Sequence, residues 1–281
     1  MHPLFSLGPL HFEAYGFFIV TGAALGVAWL MRWRETLRLP EDTWADFWKL
    51  VYVLILGGVV GGKVGFIVVE WEFVTGTPGA FWSWQTGWVY WFGAAGTMLA
   101  GKLYQEYMNR KVLPRPRAYL PIADYCAAAG ALGHAVGRLG CFFAGCCHGR
   151  PTGAPWAVTF TSPMADMDPA LLGVPLHPTQ LYEAAGEMLL ALVVINLVLP
   201  AVRARKVRQG TGFFLSMGGY SLLRFTVEFF RGDDRGRLLP GLSPSQWVSA
   251  AAFLLVAAAV AKRGLTVKDR SLEGPYLDGN V

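Results

Sequence analysis

Fourteen residues near the middle of the chain, Gly137 to Arg150, hold its densest chemistry. Arg138 stands at the end of a stretch apolar enough to cross a bilayer. A cation placed there is costly, so it usually meets an anionic partner or substrate. Cys141, Cys146, Cys147 and His148 follow as a C-x4-C-C-H cluster. Three readings of it stay open. The ligand types suit zinc or copper, although the spacing matches no standard zinc finger. On an outer face a disulfide is permitted, with Cys141 and Cys146 the pair to expect. The same residues could also simply pack a tight loop. Cys126 reads as core packing.

A second constellation lies further on. Tyr220, Arg224, Glu228 and Arg231 recur at spacings of four, four and three, which is one face of a helix. An arginine and a glutamate one turn apart inside an apolar stretch either tie helices together or serve a site. Asp124 could answer a cation elsewhere in the bundle. Lys63, in Gly61-Gly62-Lys63-Val64-Gly65, could snorkel to the surface.

The elements that must position these groups are membrane helices. Of the 281 residues, 54% are hydrophobic and only 15% charged, against about 25% in a soluble domain. The 11 tryptophans suit interfacial belts. The net charge of +5 is spread in short clusters between apolar stretches, which argues against a nucleic-acid partner. The first apolar stretch lacks a basic n-region and an A-x-A site, so it reads as a retained helix. Seven stretches approach the roughly 20 residues that a spanning helix needs. They cover about 14–31, 50–69, 87–108, 119–137, 184–202, 211–230 and 245–261. The expected fold is therefore all-α: one transmembrane domain over 1–281, with a Pro-rich structured loop at about 138–183. Basic sets follow spans one, three, five and seven: Arg32, Arg34 and Arg38; Arg110, Lys111, Arg115 and Arg117; Arg203, Arg205, Lys206 and Arg208; Lys262, Arg263, Lys268 and Arg270. The positive-inside rule places these in the cytoplasm, the N-terminus outside and the C-terminus inside.

Three segments then resemble one family, the bacterial prolipoprotein diacylglyceryl transferases. The first is Asp124 with Gly137-Arg138-Leu139-Gly140. The second is His177-Pro178-Thr179-Gln180-Leu181-Tyr182-Glu183. The third runs from Gly219-Tyr220 through Arg224 and Glu228 to Phe229-Phe230-Arg231. Tyr15-Gly16 and Gly61-Gly62-Lys63 also fit. The resemblance implies seven spans with the N-terminus outside, in the bacterial inner membrane. It implies transfer of the diacylglyceryl group of phosphatidylglycerol to the lipobox cysteine of a preprolipoprotein, with glycerol phosphate leaving. The expected partners are phosphatidylglycerol, preprolipoprotein signal peptides and membrane lipids.

On that reading Arg138, Arg224 and Arg231 would hold the phosphate, because guanidinium is a fork for phosphate oxygens. Glu228 would orient an arginine. Tyr15, Gln180 and Tyr182 would position the head group, with Asp124, His177, Glu183 and Tyr220 completing the substrate-binding set. No cofactor or metal is assigned. The chain departs from the family at Cys141, Ala144 and Cys146, where Asn, Asn and Glu are usual. Its Phe92-Gly93-Ala94 replaces a His-Gly-Gly or Tyr-Gly-Gly segment, so the histidine often proposed as base has no equivalent. His134, His148 and His177 are the available substitutes, and His148 joins Arg138, Arg224 and Glu228 in the expected catalytic set. The cysteines are expected to shape the loop rather than attack substrate. Two other readings are a membrane thiol, metal or redox protein reusing the fold, and a related transferase with another acceptor. The orientation is directly testable. Reporter fusions or cysteine accessibility within 150–175 should report the periplasmic side, and labelling only from the cytoplasm would overturn it.

Overall fold

Apolar runs of this length become helices because only a helix satisfies its own backbone in hydrocarbon. The computed structural model describes residues 3–7, 10–34, 44–77, 79–80, 87–112, 118–232 and 241–265. Arg38, Arg115, Arg117, Lys268 and Arg270 lie outside the described residues. Nine α-helices are described: α1 Ala14–Arg32, α2 Trp44–Val69, α3 Trp71–Gly76, α4 Tyr90–Lys111, α5 Tyr119–Ala144, α6 Thr179–Val193, α7 Leu199–Arg203, α8 Thr211–Glu228 and α9 Pro244–Arg263. A π-helical turn, Val194–Val198, makes α6 and α7 continuous. Strands are few: β1 (Pro3–Leu7) pairs antiparallel with β2 (Leu10–Glu13), and β3 (Val158–Thr159) with β4 (Pro175–Leu176).

Five described helical stretches are long and apolar enough to cross a membrane: Ala14–Arg32, Asp46–Val69, Tyr119–Ala144, Thr179–Arg203 and Pro244–Arg263. These are the helices of an all-α membrane protein. The other two expected spans are helices as well, α4 and α8, but less apolar. Helix α4 carries Lys102, Gln105, Glu106 and Asn109, and α8 carries Ser216, Ser221, Arg224 and Glu228. One boundary differs in a way that matters. The fourth stretch was expected to end at 137, yet α5 continues to Ala144. Arg138 and Cys141 are therefore helical, and only Cys146 and Cys147 belong to the loop.

The chain divides into two compact units, 34–119 and 1–33 with 120–281. In the first, α2 and α4 pack through glycines. A Cβ at Gly57 or Gly61 would collide with Gly96 or Phe92, which is how small residues let membrane helices approach. Lys63 Nζ sits 5.1 Å from the Phe66 ring and 5.8 Å from Trp88. In the second unit α1 meets α5 at Gly22 and Gly133, where neither position has room for a side chain.

Helix α8 has no side-chain cap of its own. Asp124 of α5 supplies one. Its Oδ2 accepts from Gly210 N at 2.6 Å and its Oδ1 from Phe213 N at 2.8 Å. A carboxylate there satisfies orphan N–H groups and complements the helix dipole. Basic groups gather at the same end: Arg263 Nη2 donates to Gln209 O at 2.6 Å, and Arg203 lies 4.5 Å from the Trp33 ring. Asp124→Ala should therefore destabilise the fold by about 1–3 kcal/mol, the cost of leaving buried donors unpaired. Thermal unfolding in detergent measures it, with Asp124→Asn expected between alanine and wild type. An unchanged midpoint in the alanine variant would contradict the capping role.

Candidate active site

Two helices of the second unit run antiparallel with titratable residues one turn apart on each. Helix α5 presents His134 and Arg138; α6 presents Glu183 and Glu187. The register makes two rungs. Arg138 Nη2 pairs with Glu183 Oε2, and His134 Nδ1 lies 3.2 Å from Glu187 Oε1. Helix α8 closes the third side. Arg224 Nε lies 3.7 Å from Glu183 Oε1, and its Nη1 lies 2.6 Å from Glu228 Oε2. Arg231 Nε stands 4.0 Å from the same Glu228 oxygen. Ser243, the N-cap of α9, donates its hydroxyl to Glu228 Oε1 at 2.7 Å. Close packing of α6 on α8 is what permits this: Gly186 lies against Leu223, and Gly219 against Leu190.

The groups are withdrawn from solvent. Glu183 is 2% exposed, Arg224 5% and Arg138 8%. Buried ion pairs stand only where each charge is answered. Along the bridged chain Arg138–Glu183–Arg224–Glu228–Arg231, guanidiniums and carboxylates alternate, so that each carboxylate lies between two arginines. Four buried polar atoms of this centre have no hydrogen-bond partner among the described residues: Arg138 Nε, Gln180 Oε1, and Arg224 Nη1 and Glu228 Oε2, which meet only as an ion pair.

The loop after α5 is folded back over it. Gly145 turns the chain with φ 78° and Cys147 takes φ 59°, both in the left-handed region. From α6, Gln180 Nε2 donates to Cys146 O at 2.7 Å and Thr179 Oγ1 to Cys147 O at 2.8 Å. Beyond the cysteines, Gly149 N donates to His177 O at 2.9 Å and Arg150 N to Phe230 O at 2.9 Å. A Cβ at Gly149 would meet both His177 and Phe230, so this three-segment knot requires glycine. Cys141, Cys146 and Cys147 are free thiols whose sulfurs lie within 4.8 Å of one another. Thiols of Cys141 and Cys146 donating to its sulfur hold the Cys147 thiol well below the usual range, helped by Arg231 and Arg138. Cys146 is pushed up by the same sharing.

The remaining sequence candidates fall into three groups. Tyr15 is close enough to Arg138 and to all three cysteines to interact with them electrostatically. Tyr220 stacks edge-on against His134 with centroids 5.6 Å apart. Tyr182 accepts from Trp156 Nε1 at 2.7 Å, and its oxygen lies 3.0 Å from His177 Nδ1. His148 is buried, with Nδ1 3.0 Å from Gly149 O, so Nδ1 carries the proton and Nε2 is the open nitrogen. Asp124 is not brought to this cluster. It lies fourteen residues before Arg138 on one unbroken helix, about 21 Å away along the axis. Its carboxylate is occupied by the start of α8.

Sequence reasoning passed over three participants. Glu187 was visible as the residue one turn after Glu183. Ser243 was visible as the first residue of a capping box, Ser243-Pro244-Ser245-Gln246. Trp156 carried no local signal, because only the folded loop brings it to Tyr182.

Comparison with known proteins gives the family. The family model described as prolipoprotein diacylglyceryl transferase matches residues 2–262. A protein of Geobacter sulfurreducens named phosphatidylglycerol–prolipoprotein diacylglyceryl transferase is 35% identical over 257 residues, covering 89% of this chain and 90% of its own. One of Clostridium tetani with the same name is 32% identical over 247 residues, covering 88% and 91%. One of Bordetella bronchiseptica, again so named, is 32% identical and covers 86% and 87%. With the motifs Gly137–Gly140, His177–Glu183 and Gly219–Arg231 meeting at one buried centre, the chain belongs to the prolipoprotein diacylglyceryl transferase family.

Proposed function

We propose that this protein moves the diacylglyceryl group of phosphatidylglycerol onto the lipobox cysteine of preprolipoproteins in the bacterial inner membrane. The observation that carries the reading is the bridged arginine chain. A phosphodiester brings one negative charge and two free oxygens, which suits the guanidinium forks of Arg138 and Arg224 gathered on Glu183. Glu183 holds the Arg138 and Arg224 forks side by side. Glu228 and Ser243 fix Arg224 from behind. As the acceptor sulfur attacks the glyceryl carbon, charge builds on the departing phosphate, and preorganised guanidiniums stabilise that state more than the ground state. Gln180 Oε1 is free to accept from a head-group hydroxyl. Tyr15 lines the same region.

The reading includes seven spans, the N-terminus outside and the reacting centre towards the periplasm. Its support is the separation of charge within the second unit: Arg203, Arg208 and Arg263 cluster with Asp124 at one end, and the bridged chain lies at the other. Helix α8 then crosses with Ser216, Ser221 and Arg224 turned to protein, and α4 with exposed Lys102 and its partner Glu106 neutralising one another.

Wild-type enzyme in phosphatidylglycerol vesicles should add a diacylglyceryl mass to a lipobox peptide, and vesicles of phosphatidylethanolamine alone should give none. Arg138→Ala and Arg224→Ala each remove a charge-assisted partner worth about 1.5–3 kcal/mol. Turnover should then fall about tenfold to a hundredfold or more. Lysine at either position should restore part of the rate, since it keeps the charge but loses the fork. Normal lipidation by both alanine variants would refute the assignment. Glu183→Gln should act differently, by lowering stability about 3–5 kcal/mol as two buried guanidiniums lose their shared partner. A Glu183→Gln protein with an unchanged unfolding midpoint would refute the bridging role.

A further inference from the structure

Three cysteines converge beside the phosphate centre, and direct displacement has no stated use for them. Cys141 sits on the last turns of α5, and its sulfur lies 3.7 Å from Arg138 Nη1. Cys146 and Cys147 come back to it because Gly145 and Cys147 adopt left-handed backbone. Two α6 side chains, Gln180 and Thr179, lock the carbonyls of Cys146 and Cys147. All three sulfurs lie within 4.8 Å of one another, and all three pairs interact through their side chains. Zinc bound to thiolates at about 2.3 Å would space them about 3.8–4.0 Å apart. The trio is therefore within a small adjustment of a zinc-ligand face. Sequence spacing hid this, because the match to a metal site is made by one helix end and one reversed turn.

Three protein ligands with one position open is the pattern of a reactive zinc site rather than a structural one. Cys146 and Cys147 are half-buried, so the site is not sealed. The reaction proposed above needs a deprotonated acceptor thiol. We infer that Cys141, Cys146 and Cys147 bind one zinc ion whose fourth position takes the acceptor cysteine and holds it as a thiolate next to the lipid phosphate. This rests on the transferase reading. On binding, the acceptor S–H proton passes to solvent, since a coordinating thiol is deprotonated. The acceptor sulfur then gives an electron pair to the glyceryl carbon that bears the phosphate. The carbon–oxygen bond breaks, and its pair leaves with glycerol phosphate, stabilised by Arg138 and Arg224. The thioether formed is a poorer ligand than a thiolate and dissociates. No oxidant or reductant is consumed.

The test separates the metal from the reaction. Full-length protein is purified in detergent under reducing conditions with zinc sulfate, and metal content is measured per chain. The inference expects one zinc per chain, with X-ray absorption showing three sulfurs and one lighter atom. Adding a lipobox peptide should convert this to four sulfurs. Cys141→Ser, Cys146→Ser and Cys147→Ser should each lose the ion, while Cys126→Ser keeps it. Stripping zinc from the wild-type protein with a chelator should lower transfer at least tenfold, and zinc should restore it, which does not depend on any variant folding. Full transfer by metal-free protein overturns the inference, as does a disulfide among the three cysteines in active enzyme. Bound zinc that keeps its lighter ligand in the presence of peptide also overturns it. Protein that binds zinc and peptide through four sulfurs yet transfers nothing from phosphatidylglycerol would instead count against the transferase reading.

Discussion

Glu183 is the residue on which the centre depends. Its two oxygens face two arginines from different helices, Arg138 on α5 and Arg224 on α8. Neither arginine could stay buried without an anion, and neither could hold its fork towards a phosphate if free to turn. One carboxylate answers both needs, and Glu228 extends the chain to Arg231. The cost of burying five charges is large. Replacing them with apolar residues would give an easier helix bundle, and the proposed phosphate binding would account for their presence.

The rest of the second unit serves that chain. Glycine contacts between α1 and α5, and between α6 and α8, bring backbones close enough for short side-chain bridges. Asp124 anchors the far end of α8 and thereby sets how far Arg224 reaches along the bundle. The loop knot at Gly149, His177 and Phe230 seals the near end and carries the cysteines to Arg138. Stability and chemistry are thus separated along the helices, with the cap of α8 at one end and the charged centre at the other.

Much of this was legible in the sequence. Apolar length gave the helices, and spacings of four and three put Arg224, Glu228 and Arg231 on one face. Helix α8 fell short on apolarity because Ser216, Ser221 and Arg224 are directed inward, which a hydropathy sum cannot register, whereas α4 does so through exposed Lys102 and its partner Glu106 as well as buried Gln105. The end of α5 was misplaced because Gly137, Gly140 and the cysteines read as loop composition, whereas the helix is held there by packing against α1. Asp124 looked like a ligand for a cation and proved to be a helix cap, a role set by a partner eighty-six residues away. The meeting of Cys141 with Cys146 and Cys147 depends on two left-handed residues and has no periodic signature.

If the guanidiniums of Arg138 and Arg224 hold a lipid phosphate, an anionic lipid should stay bound when others are lost. Native mass spectrometry of the detergent-purified protein, equilibrated with phosphatidylglycerol and phosphatidylethanolamine together, reads this without turnover. One phosphatidylglycerol should remain per chain, and Arg138→Ala should release it. Equal retention of both lipids, or retention of phosphatidylglycerol by Arg138→Ala at the wild-type level, would contradict the centre described here.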